Sequence, residues 1–327
     1  MINKKKWIAN LSVLFGGALV AVSAMAAQYS LNINIALTQD DPMYKGLERM
    51  KQRVESRTNG KVELRLFTGS QLGKDEDVLE QARAGANVAV LVDTGRLGVF
   101  TPSLAVLGAP YIVPDISKLD TLVTSDLFNG WASDLRQKAG LEILSFNWWQ
   151  GSRHLLTNKP ITQPADLKGI RMRTPGAPVW LETIKAMGAT PTPLGWTEVY
   201  TGLQQHVIDG AEAQMPAVYG SRLYEVISHI TKTGHIQLIS GLVGSSQWFD
   251  TLPAEYQAIV KEEALLAGDY ATELTQAKLT DYENLMVKEG VTISEVDITP
   301  FVNATESVYQ TLNLQTEREQ VMQVLGQ

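Results

Sequence analysis

Just past residue 27 the chain alternates, with Leu31, Ile33 and Ile35 separated by Asn32 and Asn34. A period of two marks a strand with one buried face. From Lys45 the period lengthens: Leu47, Met50 and Val54 recur at helical spacing, and Gly60 supplies the stop. Val62, Leu64 and Leu66 alternate again. The run from about Asp75 to Ala84 gathers Val78, Leu79 and Ala82 on one helical face, and Val88 to Val92 is a short branched apolar run ending at Asp93. Strand, helix, strand, helix, strand in this order predicts parallel strands joined by helical crossovers.

The pattern returns in the second half. Leu141–Phe146 and Gly169–Arg173 read as strands, and Val179–Met187 and Glu198–Val207 as helices, the latter with Thr197 as a plausible N-cap. His235–Ile239 and Gly244–Trp248 are further possible strands. Pro253 to Glu289 is almost uninterrupted helical composition, and the tail from Thr292 adds a strand and a short helix. No fixed-period repeat, low-complexity tract or Gly/Ser linker divides the chain. The fold class is therefore α/β, with two closely connected lobes. In open α/β sheets ligands sit beyond the carboxyl ends of strands, so the cleft between lobes is the expected site.

At 327 residues the chain has room for about two domains. Met1 to Ala26 reads as a secretory signal peptide, with Lys4 to Lys6, an apolar run from about Leu11 to Val22, and Ala24-Met25-Ala26 as the cleavage site before Ala27. The expected location is the periplasm. Losing the three lysines takes the formal charge from −7 to near −10, which argues against a nucleic-acid partner. There is no cysteine, so thiol nucleophiles, disulfides and Cys-type zinc sites are excluded together. The four histidines form no HxxxH pair, and no metal or cofactor is expected. A GxSxG motif and a phosphate loop or dinucleotide fingerprint are likewise absent. Nothing in the chain requires a reaction to explain it, and an enzyme is not expected.

Binding chemistry is easier to find. Arg153 lies just beyond the strand ending near Phe146, and Arg173 closes the strand Gly169–Arg173. A guanidinium at a strand end can grip a carboxylate through two parallel hydrogen bonds, although either arginine could equally be a surface ion-pair partner. Strand alternation places Arg171 on the same side as Arg173. Trp148, Trp149 and Trp196 are candidate pocket walls. Trp148 and Trp149 are adjacent, so only one can face a given side. Asp75, Asp93 and Gln214 are weaker candidates, since Asp75 could simply cap its helix and Asp93 simply end its strand.

In these residues the chain resembles the substrate-binding subunits of TRAP transporters, the DctP-like family. The resemblance covers essentially all of the chain after the leader. It is carried by Asn59-Gly60-Lys61-Val62-Glu63 through Gly69-Ser70-Gln71-Leu72-Gly73, by Ala109-Pro110-Tyr111, and most specifically by Asp166-Leu167-Lys168-Gly169-Ile170-Arg171-Met172-Arg173. It continues through Pro193-Leu194-Gly195-Trp196-Thr197-Glu198-Val199-Tyr200 to Asp209-Gly210-Ala211-Glu212. The resemblance implies two lobes that close on a ligand, braced by a long C-terminal helix, with lobe I at 27–150 plus about 239–278 and lobe II at 151–238 plus about 279–327. It implies capture of a small organic acid and delivery to a small and a large membrane subunit. It selects Arg173 over Arg171 for the main salt bridge to the carboxylate, with Arg153 as a second contact. It places Trp196 along the pocket, and Asp75 and Asp93 toward the far end of the ligand. A sensor protein of the same fold, or less readily a periplasmic hydrolase, is the alternative. Two departures stand out. Ala36 replaces a usual polar residue, and Ala213-Gln214 stands where many members begin with Asn. These changes point to a bulkier or more apolar acid.

Overall fold

The computed structural model describes residues 27–113 and 115–326; the expected leader Met1–Ala26 lies outside the described residues. Among the described residues nine strands form one sheet: β1 (Tyr29–Asn34), β2 (Val62–Phe67), β3 (Val88–Asp93), β4 (Leu141–Thr157), β5 (Arg171–Thr174), β6 (Thr190–Pro193), β7 (Gly210–Gln214), β8 (His229–Ser245) and β9 (Thr292–Glu295). Their order is β2-β1-β3-β8-β4-β7-β5-β6, with β9 beside β8. The flanks are parallel: β1 pairs with β2 and β3, as the strand–helix alternation of the first half predicts, and β5 pairs with β6 and β7, two strands that the sequence pattern does not pick out. The centre is antiparallel, because β8 pairs with both β3 and β4, and β4 with β7.

Two strands of 17 residues, β4 and β8, cross the whole molecule. The sequence pattern predicts much shorter ones. Leu141–Phe146 is only the start of β4, which runs on through both tryptophans and Arg153. His235–Ile239 lies inside β8. The expected strand Gly244–Trp248 is not one: β8 ends at Ser245, whose Oγ accepts from the Trp248 N–H and caps a short helix, Ser246–Asp250. β4 and β8 carry repeated register shifts, one of them between Trp149 and Ser152. Gly151 sits in that shift with φ +114°, a backbone conformation that only glycine adopts without strain. The lobe boundaries expected at 150/151 and 238/239 thus fall inside these two strands.

The helix α1 (Pro42–Arg57) starts where Asp41 accepts from the Met43 N–H at 2.9 Å, with Pro42 in the first turn. The 35-residue helix Ala254–Lys288 buries Val260, Ala264, Ala267 and Ala271 against the core formed by β1, β2 and α1. Farther along, it buries Tyr282 and Met286 against Leu156, Ala211 and Ile230. One helix therefore braces both halves of the sheet. The tail beyond Val308 returns to the first half: Val308, Tyr309, Val321 and Leu325 share a core with Leu107, Leu122 and Leu135, and the Tyr309 hydroxyl donates to the Pro110 carbonyl at 2.6 Å.

Candidate functional site

The carboxyl ends of β1, β3, β5 and β7 and the middle of β4 border a cavity lined by Ala36, Asp75, Asp93, Arg153, Arg173, Trp196 and Gln214, among others. Six of the seven residues singled out from the sequence are brought together here. The seventh, Trp149, is not among the lining residues. It is buried in the core, and its Nε1–H donates to Gln237 Oε1 at 3.0 Å. Trp148 faces the opposite core, with its indole N–H on Ser145 Oγ at 2.7 Å. Adjacent residues on a strand do point to opposite faces, and here both faces are core.

Arg173 is 1% exposed. Its Nε and Nη2 donate to the Leu194 carbonyl at 3.0 and 2.8 Å, and its guanidinium lies 5.4 Å from the Trp196 ring. Among the described residues it has no carboxylate partner within ion-pair distance. Burial, reinforced by the charge of Arg153, pushes its pKa down to about 9, the signature of a cation whose environment does not compensate it. Arg171, two residues earlier, is nearly half exposed and held by Asp209 at 2.8 Å, so the geometry distinguishes the two arginines.

Arg153 is buried but compensated. It donates through Nε and Nη2 to the Glu212 carboxylate and through Nη1 to Gln214 Oε1 at 3.1 Å, and it stacks 4.5 Å from the Trp180 ring. Burial alone would raise the Glu212 pKa, but the Arg153 charge and hydrogen bonds to its oxygens outweigh it and hold the carboxyl at about 2. On β7 the alternation sets Glu212 and Gln214 toward the cavity side and Ala211 and Ala213 into the core. Gln150 and Arg153, three apart on β4, both reach the cavity. In a regular strand they would face opposite ways, and the irregularity at Gly151 brings them together. Gln214 Nε2 then donates to Gln150 Oε1 at 2.8 Å, tying β7 to β4.

The opposite wall comes from the helix α2 (Asp75–Arg83) and the short helix α3 (Thr94–Leu97). Asp93 caps α3 by accepting from the Arg96 N–H at 3.0 Å, and the Arg96 guanidinium returns to Asp93 Oδ2. Arg96 also donates to Glu76 Oε1 at 2.6 Å and lies 3.6 Å from Asp75 Oδ2. Burial raises the Asp75 pKa to about 6, with Arg96 opposing, and Asp75 Oδ1 is buried with no hydrogen-bond partner. Lys74 pairs across the cleft with Glu198 at 2.8 Å. The same Glu198 carboxylate accepts from the Gly195 N–H at 2.7 Å. That bond, rather than the expected Thr197 side chain, organises the turn that carries Trp196.

Arg96, Gln150 and Trp180 line the cavity but were not picked out from the sequence. The spacing Asp93-x-x-Arg96, a cap and a basic residue one turn apart, was an available signal. Trp180 occupies the buried face of the helix Pro178–Ala186, where a ring reads as core. Its indole N–H lies where a Cβ on Gly95 would stand, 2.0 Å away, so only glycine fits there. Arg96 and Gln150 give the cavity polar groups beside Ala36, while Trp180 and Trp196 line it with rings.

Comparison with known proteins defines the class. The model for bacterial extracellular solute-binding proteins of family 7 matches residues 33–316, and the chain belongs to that family. Its members are substrate-binding proteins, not enzymes. A TRAP periplasmic solute-binding protein from Escherichia fergusonii, in an apo open structure, is 47% identical with a TM-score of 0.79, covering 90% of this chain and 99% of that one. Another from Ochrobacterium anthropi, with bound L-fuconate, is 32% identical with a TM-score of 0.88, covering 91% and 100%. The ectoine/5-hydroxyectoine-binding periplasmic protein UehA of Ruegeria pomeroyi is 30% identical over 306 residues, 92% of this chain and 89% of its own.

Proposed function

We propose that this chain is the periplasmic capture subunit of a TRAP-type uptake system and that its ligand is a small sugar acid. One observation carries the reading: Arg173 is a buried guanidinium that no described carboxylate neutralises. A ligand carboxylate supplies the missing charge. Arg173 Nη1, which donates to no described group, takes the principal contact, Arg153 gives the second, and Trp196 and Trp180 form the walls. Gln214, Asp93 and Asp75 line the remainder. The O. anthropi relative with its sugar acid supports the ligand class.

In this reading the segments 27–150 and 151–238 form two lobes hinged in β4 and β8, each completed by later parts of the chain. The present arrangement is the closed one. Arg173 is almost inaccessible, Lys74 and Glu198 meet across the mouth, and the fold overlays better on the ligand-bound relative than on the more similar apo open one. Closure removes water and strengthens the ion pair. Ligand shifts the open–closed balance by its preference for the closed state. The closed form then docks on the small and large membrane subunits. Export by the leader Met1–Ala26 places this in the periplasm, and no helix among the described residues is long and apolar enough to cross a membrane.

The test is a thermal-shift screen of ligand-stripped protein against L-fuconate, L-galactonate, D-glucuronate and succinate, with Arg173→Ala alongside. Ligand at about 1,000 times its dissociation constant adds roughly 4 kcal/mol of stability. A shift in the native protein that vanishes in the variant supports the reading; no shift with any carboxylate contradicts it.

A further inference from the structure

One tryptophan joins the two halves of the molecule at the edge of the cavity. Trp180 belongs to the helix Pro178–Ala186 of the second segment, yet its ring is 1% exposed and shares a core with Leu97, Leu104 and Leu107 of the first. On its own side it stacks on Arg153. On the other side two glycines make room for it. Its Nε1 lies 2.0 Å from where a Cβ on Gly95 would stand and 3.1 Å from where one on Gly108 would stand. Neither glycine has a positive φ, so what glycine supplies at both positions is space rather than backbone freedom. The packing alongside is looser: a cavity of about 120 Å³ lies between Pro178 and Val179 of the helix and Gly98, Pro102 and Ala105 opposite. The indole makes the close contact here, and that contact carries a defect. Trp180 Nε1 is a buried donor with no hydrogen-bond partner among the described residues, whereas buried indole N–H groups usually have one.

Resting on the two-lobe closure reading above, we infer that Trp180 is the latch of the closed form, a positioning residue that sets the open–closed balance. The ring of one lobe enters the Gly95–Gly108 cradle of the other. Because it rests on Arg153, the latch and the second carboxylate contact share one platform. Shutting the cleft buries a large ring, which favours closure, and strips water from the indole N–H without replacing it, which opposes closure. The contact therefore holds a closed form without enforcing it when no ligand is bound. When the lobes part, the ring leaves the cradle and its N–H meets water. The open, ligand-free protein then gains little from Trp180, and this separates a latch from an ordinary core residue, whose truncation would weaken the fold with or without ligand.

Two variants approach the latch from opposite lobes. Trp180→Ala removes the ring, and Gly95→Ala places a methyl in the cradle at a position that does not line the cavity. Each is compared with native protein by urea unfolding without ligand, by calorimetric titration, and by small-angle scattering with and without saturating ligand. The ligand is the tightest binder among L-fuconate, L-galactonate and D-glucuronate. Both variants should keep the ligand-free urea midpoint of native protein, Gly95→Ala with a slight rise from helix propensity. Affinity should fall ~30-fold or more in Trp180→Ala, the scale of a buried tryptophan at an interface, and ~10-fold or more in Gly95→Ala, whose closed form is scarcely populated. Native protein should compact on binding, and both variants should compact less at saturation. The added Cβ also stands 2.9 Å from Asp93 Oδ1, and the scattering separates a blocked latch from a disturbed contact. Gly95→Ala that compacts like native protein overturns the inference. So does Trp180→Ala that is unfolded or strongly destabilised without ligand, because the ring would then be core in both states. Native protein that binds a sugar acid without compacting, or binds none of the three, sinks the closure reading itself.

Discussion

Replacing Arg173 by methionine should separate ligand binding from stability in an unusual direction. Removing a buried ion-pair partner ordinarily destabilises a fold, because it strands the opposite charge. Arg173 has no opposite charge to strand. Its pKa is pushed down from the ordinary guanidinium range to about 9 by burial and by Arg153, which at 1.36 kcal/mol per decade is up to about 5 kcal/mol against the charged form. The folded value lies below the unfolded one. The cost is therefore present in full below pH 9 and is relieved only as pH rises above about 9, where the unfolded state holds the extra proton. Methionine removes that cost but also gives up the two hydrogen bonds to the Leu194 carbonyl, a loss of about 1–3 kcal/mol. The ligand-free variant should thus be as stable as the native protein at pH 7, or more stable by up to ~4 kcal/mol. Sugar-acid affinity should meanwhile fall by about 2–5 kcal/mol, which is roughly 30- to 5,000-fold. Urea unfolding of ligand-stripped protein together with titration of L-fuconate reads both quantities. A variant destabilised by more than about 2 kcal/mol whose affinity stays within threefold would refute the reasoning, because it would make Arg173 an ordinary structural cation.

Three further outcomes are expected. Charge reversal at Lys74 should weaken ligand binding by about two- to fivefold at low salt, and 1 M salt should erase the difference, as for an exposed ion pair, whereas reversal at Glu198 should cost more and resist salt because it also removes the acceptor of the Gly195 N–H. Asp41→Asn keeps the cap of α1 but removes a buried carboxyl whose pKa burial raises to about 7, against the Met43 N–H and Lys278. Because the folded value exceeds the unfolded one, the native penalty grows between about pH 4 and 7 and is complete above 7, so the variant should gain a few kcal/mol by urea unfolding at pH 8 and little at pH 4. Gly151→Val forces a branched residue into φ +114° beside Gln214. It should cost about 1–3 kcal/mol of stability and lower sugar-acid affinity, because Gln150 and Arg153 lose their common face.

The first flanking parallel unit was legible because each of its strands and helices satisfies its own periodicity: Leu31-x-Ile33-x-Ile35 and Leu47, Met50, Val54 need no knowledge of the rest of the chain. β4 was not legible beyond Phe146. Both faces of its middle are covered, so Trp148 and Trp149 are buried on opposite sides and alternation disappears. Gly151 reads as a break although it is a bulge. β7 is a fully buried Gly-Ala-Glu-Ala-Gln run with almost no apolar signal. β6, Thr190–Pro193, contains two prolines, which suit an edge strand but argue against one in a sequence. Within the site, Arg173 could be chosen over Arg171 only through family resemblance. The physical difference lies in Asp209, which is adjacent only once β5 and β7 have paired. Arg96, Gln150 and Trp180 depend in the same way on contacts between distant segments.

If a buried, unneutralised Arg173 captures the carboxylate of a sugar acid, ligand pairs differing only in that group must separate sharply. Ligand-stripped protein should be titrated calorimetrically with L-fuconate and L-fucitol, L-galactonate and galactitol, and D-glucuronate and D-glucose. At least one acid should bind ~100-fold or more tighter than its uncharged partner, with the advantage lost in Arg173→Met. Equal affinity within each pair, or a preference for the acid that survives Arg173→Met, would contradict the account.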